Sequence, residues 1–185
     1  MVTTLPYGSW PSPLTAELLA TGGTRLGAPR LVGDFVWWTE GIATEGGRQA
    51  IVRTAGPVAL PQPWDGTALD GTDAHAPADP VTVLPAPFNA RSRVHEYGGA
   101  SWTVVTGADE APAGTPLVVF VNFEDQRVYA LVEGEQPRVL TPVGPEIDSA
   151  QGPSLRWADP TPVTLPGGRT EIWWICEDHT RAAPG

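Results

Sequence analysis

Residues Phe88–Gly99 read FNARSRVHEYGG: two arginines, a histidine, a glutamate, a tyrosine and a glycine pair within twelve positions. A buried strand or helix has no use for that mixture, and the polar residues fall too close together to share one face. The segment is read as one kept for its chemistry or for a particular loop shape. If it is extended, alternation puts Arg91, Arg93 and His95 on one side. Two guanidiniums beside an imidazole would clamp a carboxylate or a carbonyl. The competing reading is a buried hydrogen-bond network that ties one sheet to the next. Gly98-Gly99 supplies a tight backbone into the following strand.

On both sides of this segment the chain reads as short strands. Phe35–Glu40 (FVWWTE) and Gln49–Thr54 (QAIVRT) form a first pair, linked through Gly46-Gly47. Ser101–Thr106, Leu117–Asn122 and Arg127–Val132 form a second set, the last two joined by a hairpin-length link at 123–126. Pro162–Leu165 and Glu171–Glu177 form a third. Aligning the sets on Trp37, Phe120 and Trp174 gives separations of 83 and 54 residues, against roughly 40–50 for propeller blades. The long first interval holds a stretch rich in Pro, Gly and Asp, read as an inserted surface loop over about 56–87. Near the start, Ser12, Pro13, Leu14 and Leu18 predict one short helix that Gly22-Gly23 ends.

Composition narrows the function classes. Gly and Pro number 21 each in 185 residues, which favours many short strands. There are 11 arginines, no lysine and 21 acids, for a net charge of −10. Nucleic-acid binding is therefore disfavoured, because phosphate contacts need a basic face. No apolar run reaches membrane-spanning length and no signal-peptide pattern opens the chain, so membrane partners are not expected and a cytoplasmic location is. The single cysteine, Cys176, lies in the apolar run IWWIC and is expected to be a small buried hydrophobe. No G-x-S-x-G elbow occurs, so no catalytic residue is assigned. His75, His95 and His179 lack metal-ligand spacing, and neither metal nor cofactor is expected. Glu177-Asp178-His179 and Asp125-Gln126-Arg127 are read as polar turns.

Together with SWPSPLTAELLA (Ser9–Ala20), EGGR (Glu45–Arg48), VFVNFEDQRVYAL (Val119–Leu131) and WICEDH (Trp174–His179), the HEYGG segment resembles the N-terminal propeller of bacterial prolyl oligopeptidase-family serine peptidases. The dipeptidyl aminopeptidase/acylaminoacyl-peptidase type is the branch it resembles. One departure is Ile42-Ala43, where the family more often has Arg-Pro before EGGR.

The resemblance implies an all-β fold: a partial β-propeller of about two and a half blades with one short N-terminal helix. Residues 1–30 would be the helical segment and 31–185 the propeller. It implies a hydrolase in which this chain selects and gates peptide substrate but does not perform proteolysis. Arg91, Arg93, His95, Glu96 and Tyr97 would then contact substrate. The implied partners are a peptide, the remaining blades and a peptidase domain. The chain is expected to be a fragment, since a strand partner for Ile172–Cys176 is missing after Asp178. The rival readings are a non-enzymatic propeller for protein interaction and a carbohydrate-binding β-protein using its eight Trp; exposure of Trp64 and Trp102 would favour the latter.

Overall fold

The structure, a computed structural model, describes residues 6, 23–55, 79–96, 98–108, 111–145 and 152–180. The expected N-terminal helix lies outside the described residues, as do Tyr97 and Trp64.

Among the described residues ten strands make three antiparallel sheets in chain order. The first holds β1 (Arg25–Val32), β2 (Phe35–Ile42), β3 (Arg48–Arg53) and β4 (Val81–Thr82). The second holds β5 (Trp102–Val105), β6 (Leu117–Val121), β7 (Val128–Val132) and β8 (Arg138–Val139). In both, each strand pairs with the next, as a meander. The third has two strands, β9 (Leu155–Thr164) and β10 (Thr170–Asp178).

β6 shows why the sheets stack. All five of its residues are buried, and the period of two sends them to different neighbours. Val118 and Phe120 join Trp37, Ile51, Leu84 and Trp102 in a core shared with the first sheet. Leu117, Val119 and Val121 join a second core, against which Trp157, Ile172 and Trp174 of the third sheet pack. A sheet covered on both faces must be apolar at every position, and LVVFV is. Phe88 meets Phe120 and Tyr129 edge-on, with centroids 5.9 and 5.3 Å away, closing the first core near the connecting segment.

Several expectations are corrected. The boundary at residue 30 falls inside β1, whose Arg25–Gly27 and Arg30–Val32 pair with β2 on either side of a bulge. The loop expected over 56–87 does not extend to 87. Val81 and Thr82 pair with β3, and Val83 and Leu84 enter the first core. β10 pairs with the strand before it, Ile172 with Pro162 and Cys176 with Trp157, and residues 181–185, where a following partner was found missing, lie outside the described residues. β9 is ten residues long, where a strand of four was expected. Its two prolines and a bulge around Asp159, at φ +55°, conceal it in sequence. Cys176 is exposed, not buried.

A candidate site where three sheets meet

The segment from Phe88 to Ala100 crosses all three sheets. Its first part joins the first two. Asn89 Oδ1 accepts from the Gln49 N–H on β3 at 3.0 Å. The Asn89 N–H donates to Asn122 Oδ1 at 3.1 Å, and its carbonyl accepts from the Phe123 N–H at 2.8 Å. Arg48, paired with Glu45, donates to the Phe88 carbonyl at 3.0 Å. The Glu45–Arg48 element of EGGR thus anchors the connection, while Gly46 and Gly47 take φ of +66° and +80° in the turn.

From Ser92 onward the segment turns to the third sheet. Ser92 Oγ donates to the Trp157 carbonyl of β9 at 2.7 Å. The Arg93 N–H donates to Gln126 Oε1 at 2.7 Å, and the Gln126 side-chain amide donates to Phe123 O at 2.9 Å. Gln126 is fully buried, at φ +53°, at the tip of the β6–β7 hairpin. A side chain that bonds the backbone of Arg91, Arg93 and Phe123 has no sequence signature; Gln126 reads as an ordinary turn residue. The Ala100 N–H donates to Asp159 Oδ1 at 2.8 Å, and the Asp159 N–H returns a bond to the Ala100 carbonyl at 2.7 Å. The glycine pair is explained by this crossing. Gly98 sits at φ +82°, and a Cβ on Gly99 would come within 2.9 Å of Ala158 Cβ.

The expected alternation breaks at His95. Val94–Glu96 is a 3-10 turn in which His95 adopts φ +52°, so the segment is not extended and His95 leaves the side of the arginines. Arg91 and Arg93 stay together: both guanidiniums lie over the Phe123 ring, 4.7 and 4.2 Å from its centroid. Arg91 is exposed and Arg93 half-buried. Glu96 shares the 3-10 turn with His95.

His95 instead faces Glu177 at the end of β10. The His95 N–H donates to the Glu177 carboxylate at 3.3 Å, and its Nδ1 lies 3.5 Å from Oε1. His179 Nε2 lies 3.0 Å from Oε2, and Arg156 Nη1 3.7 Å from it. Arg156 is 1% exposed and also donates to the Arg93 carbonyl at 3.2 Å. Burial pushes the Glu177 carboxyl up. The His179 side chain, the His95 N–H and the charges of His179 and Arg156 outweigh it, and together hold the carboxyl below its ordinary value. Glu177 and His179 are therefore a junction between the third sheet and the connecting segment, not only a polar turn. Nothing in the sequence links them to a residue 82 positions earlier.

Each described serine donates to a backbone carbonyl: Ser92 to Trp157, Ser101 to Ala90 and Ser154 to Pro145. Trp102 is buried in the first core, so it offers no aromatic platform to a sugar. No helix among the described residues is long and apolar enough to cross a membrane. A cavity of about 430 Å³ lies between the second and third sheets, with Val119, Ala130, Ile172 and Trp174 in its wall.

No protein-family profile and no curated protein matches the chain. Solved structures do. A puromycin-hydrolyzing peptidase from Mycobacterium tuberculosis is 36% identical over 95% of this chain, with a TM-score of 0.67. A puromycin hydrolase is 39% identical over 86%, with a TM-score of 0.58. The S511A mutant of a puromycin hydrolase, complexed with PGG, is 38% identical over the same share. The chain spans 20–22% of the length of these proteins. What it is similar to is the N-terminal part of a peptidase of the prolyl oligopeptidase family.

Proposed function

We propose that this chain forms the first blades of an N-terminal β-propeller in a serine peptidase that acts on peptides. Its part is to admit and select substrate, and the acyl-transfer chemistry belongs to a separate hydrolase domain. The observation that carries this reading is 36% identity over 95% of the chain to a puromycin-hydrolyzing peptidase. Two meander sheets of four strands, stacked through the two-faced β6 on a third sheet, are the expected first units of such a ring. The aminopeptidase-like subtype fits the relatives too, since puromycin is an aminoacyl amide. Arg91 and Arg93 are the strongest substrate contacts in this reading, and His95 and Glu96 follow them in the Val94–Glu96 turn.

A chimera tests it. Residues 1–185 replace the matching part of the Mycobacterium tuberculosis peptidase, and turnover of puromycin is measured. Hydrolysis at a rate within about tenfold of the parent is expected, with a fluorophosphonate labelling only the hydrolase domain. The 185-residue chain alone should show background turnover of aminoacyl and dipeptidyl chromogenic amides. A folded but inert chimera would favour a non-enzymatic interaction module. Stoichiometric labelling of a serine in the chain alone would overturn the division of labour.

A further inference from the structure

We infer that Arg91 and Arg93, held against Phe123, form a binding point for a free peptide carboxylate. The claim that this carboxylate belongs to a peptidase substrate rests on the function proposed above; the binding itself does not.

Three observations converge. First, the two guanidiniums share one ring, at 4.7 and 4.2 Å from its centroid. Stacking on a ring uses the face of a guanidinium and leaves its in-plane N–H groups for a ligand. Second, neither arginine makes an ion pair with a carboxylate of the described residues. Arg48, Arg53, Arg156 and Arg169 all do. Among the described arginines Arg25, Arg30, Arg127 and Arg138 likewise make no ion pair, but only Arg91 and Arg93 share a ring. One acid of the hairpin, Asp125, is already engaged. It accepts from Asn122 Nδ2 at 3.0 Å and from the Tyr129 hydroxyl at 2.6 Å.

Third, the backbone under the pair is held and its surroundings leave room for it. Gln126 accepts from the Arg93 N–H and Arg156 donates to its carbonyl. Gly152, at φ +91°, lies so close to Arg93 Nη1 that a Cβ there would approach to 3.0 Å. Two like charges gathered at low cost in entropy are worth most to an anion that accepts from both, and a carboxylate has two oxygens in the matching plane.

The test uses the 185-residue chain and N-acetyl-trialanine, either as the free carboxylate or as its C-terminal amide. Arginine Nε–Hε signals are followed by NMR, with Arg91 and Arg93 assigned by their single Lys variants. The carboxylate should shift those two signals saturably, and the amide at least tenfold more weakly. Arg91→Gln with Arg93→Gln should weaken carboxylate binding about tenfold or more, as expected for a charge-assisted contact. Arg93→Lys keeps the charge and removes the planar fork, so it should recover only part of the binding. Backbone amide spectra of β6 and β7 check that each variant is folded. Equal binding of acid and amide, or undiminished binding by the double Gln variant, overturns the inference. The chimera separates the two claims. If it hydrolyses puromycin yet shows no preference for acid over amide peptides, the substrate assignment fails and the family reading stands. If it is inert while the chain still binds the carboxylate, the family reading fails and the site stands.

Discussion

The second and third sheets are built from similar sequence and end in opposite states. β6 reads LVVFV and every side chain is buried between two neighbours. β10 reads TEIWWICED, with an apolar run of the same length, IWWIC, between polar ends. Yet Trp173 is 59% exposed and Ile175 51% exposed, while Ile172 and Trp174 pack on the second sheet. Each strand carries an apolar run of five; the number of faces covered differs. A strand's hydrophobicity states what it could bury, and its neighbours decide what it does bury. The joints differ as well. The first two sheets meet through aromatic packing and the Arg53–Glu133 ion pair. The last two meet through a smaller apolar core, and the Glu177 cluster ties the third sheet to the connecting segment at His95.

The largest test of this contrast is truncation on each sheet. Phe120→Ala should destabilise by about 3–5 kcal/mol, because it opens a cavity in a two-sided core. Trp173→Ala, a larger deletion, should cost well under about 1 kcal/mol because its face is already wet. Urea midpoints at constant slope measure both. Comparable losses would mean that the outer face of β10 is covered in solution.

Next comes the joint. Arg156→Met removes a buried cation that faces Glu177 and the Arg93 carbonyl. A loss of about 2 kcal/mol is expected, at the low end for a broken buried pair because Glu177 keeps its two histidine contacts and some water. Amide exchange should accelerate in β9 and β10 and not in β2 and β3. Uniform acceleration would show that the three sheets open together.

Gly99→Ala should cost about 1–3 kcal/mol, since its Cβ would meet Ala158. The same exchange pattern should appear, confined to the joint.

A pH titration sharpens the comparison further. The Glu177 carboxyl is held below its ordinary value, so its contribution is fully present above the unfolded value of about 4.3. It is lost as pH falls through the lower folded value. Protection of β10 amides should therefore decline on acidification below about pH 4.3 more steeply than that of β6. Glu177→Gln should flatten the difference. An unchanged slope in that variant would remove Glu177 from the joint's pH dependence.

The smallest effect concerns Cys176. Its thiol is exposed, but burial of part of the side chain, with Asp178 and Glu177 beside it, raises its pKa. Reaction with a disulfide reagent near pH 7 should reach completion in the folded chain but run slower than for a free cysteine. Cys176→Ser should leave stability within about 0.5 kcal/mol.

Alternating apolar runs placed β2, β3, β5, β6 and β7 to within two residues, because local period and strand propensity agree there. β1 and β9 were hidden by Gly27, Pro29, Pro160 and Pro162, which argue against a strand until a bulge absorbs them. The cation pair at Arg91 and Arg93 was legible as an odd local composition. Its ring, its buried amide and Arg156, which donates to the Arg93 carbonyl, lie 30 to 65 residues away and were not.

By itself, then, the order of residues determined that the chain makes short antiparallel strands, that a polar segment separates two β regions, and that two arginines sit together within it. Those are consequences of near-neighbour sterics, turn chemistry and a period of two. Only the tertiary structure decided that His95 turns away to Glu177, that both guanidiniums rest on Phe123, and that β6 is covered twice while β10 is covered once. Each of these depends on contacts between distant residues, whose closeness is set by how sheets stack and not by anything local to either partner.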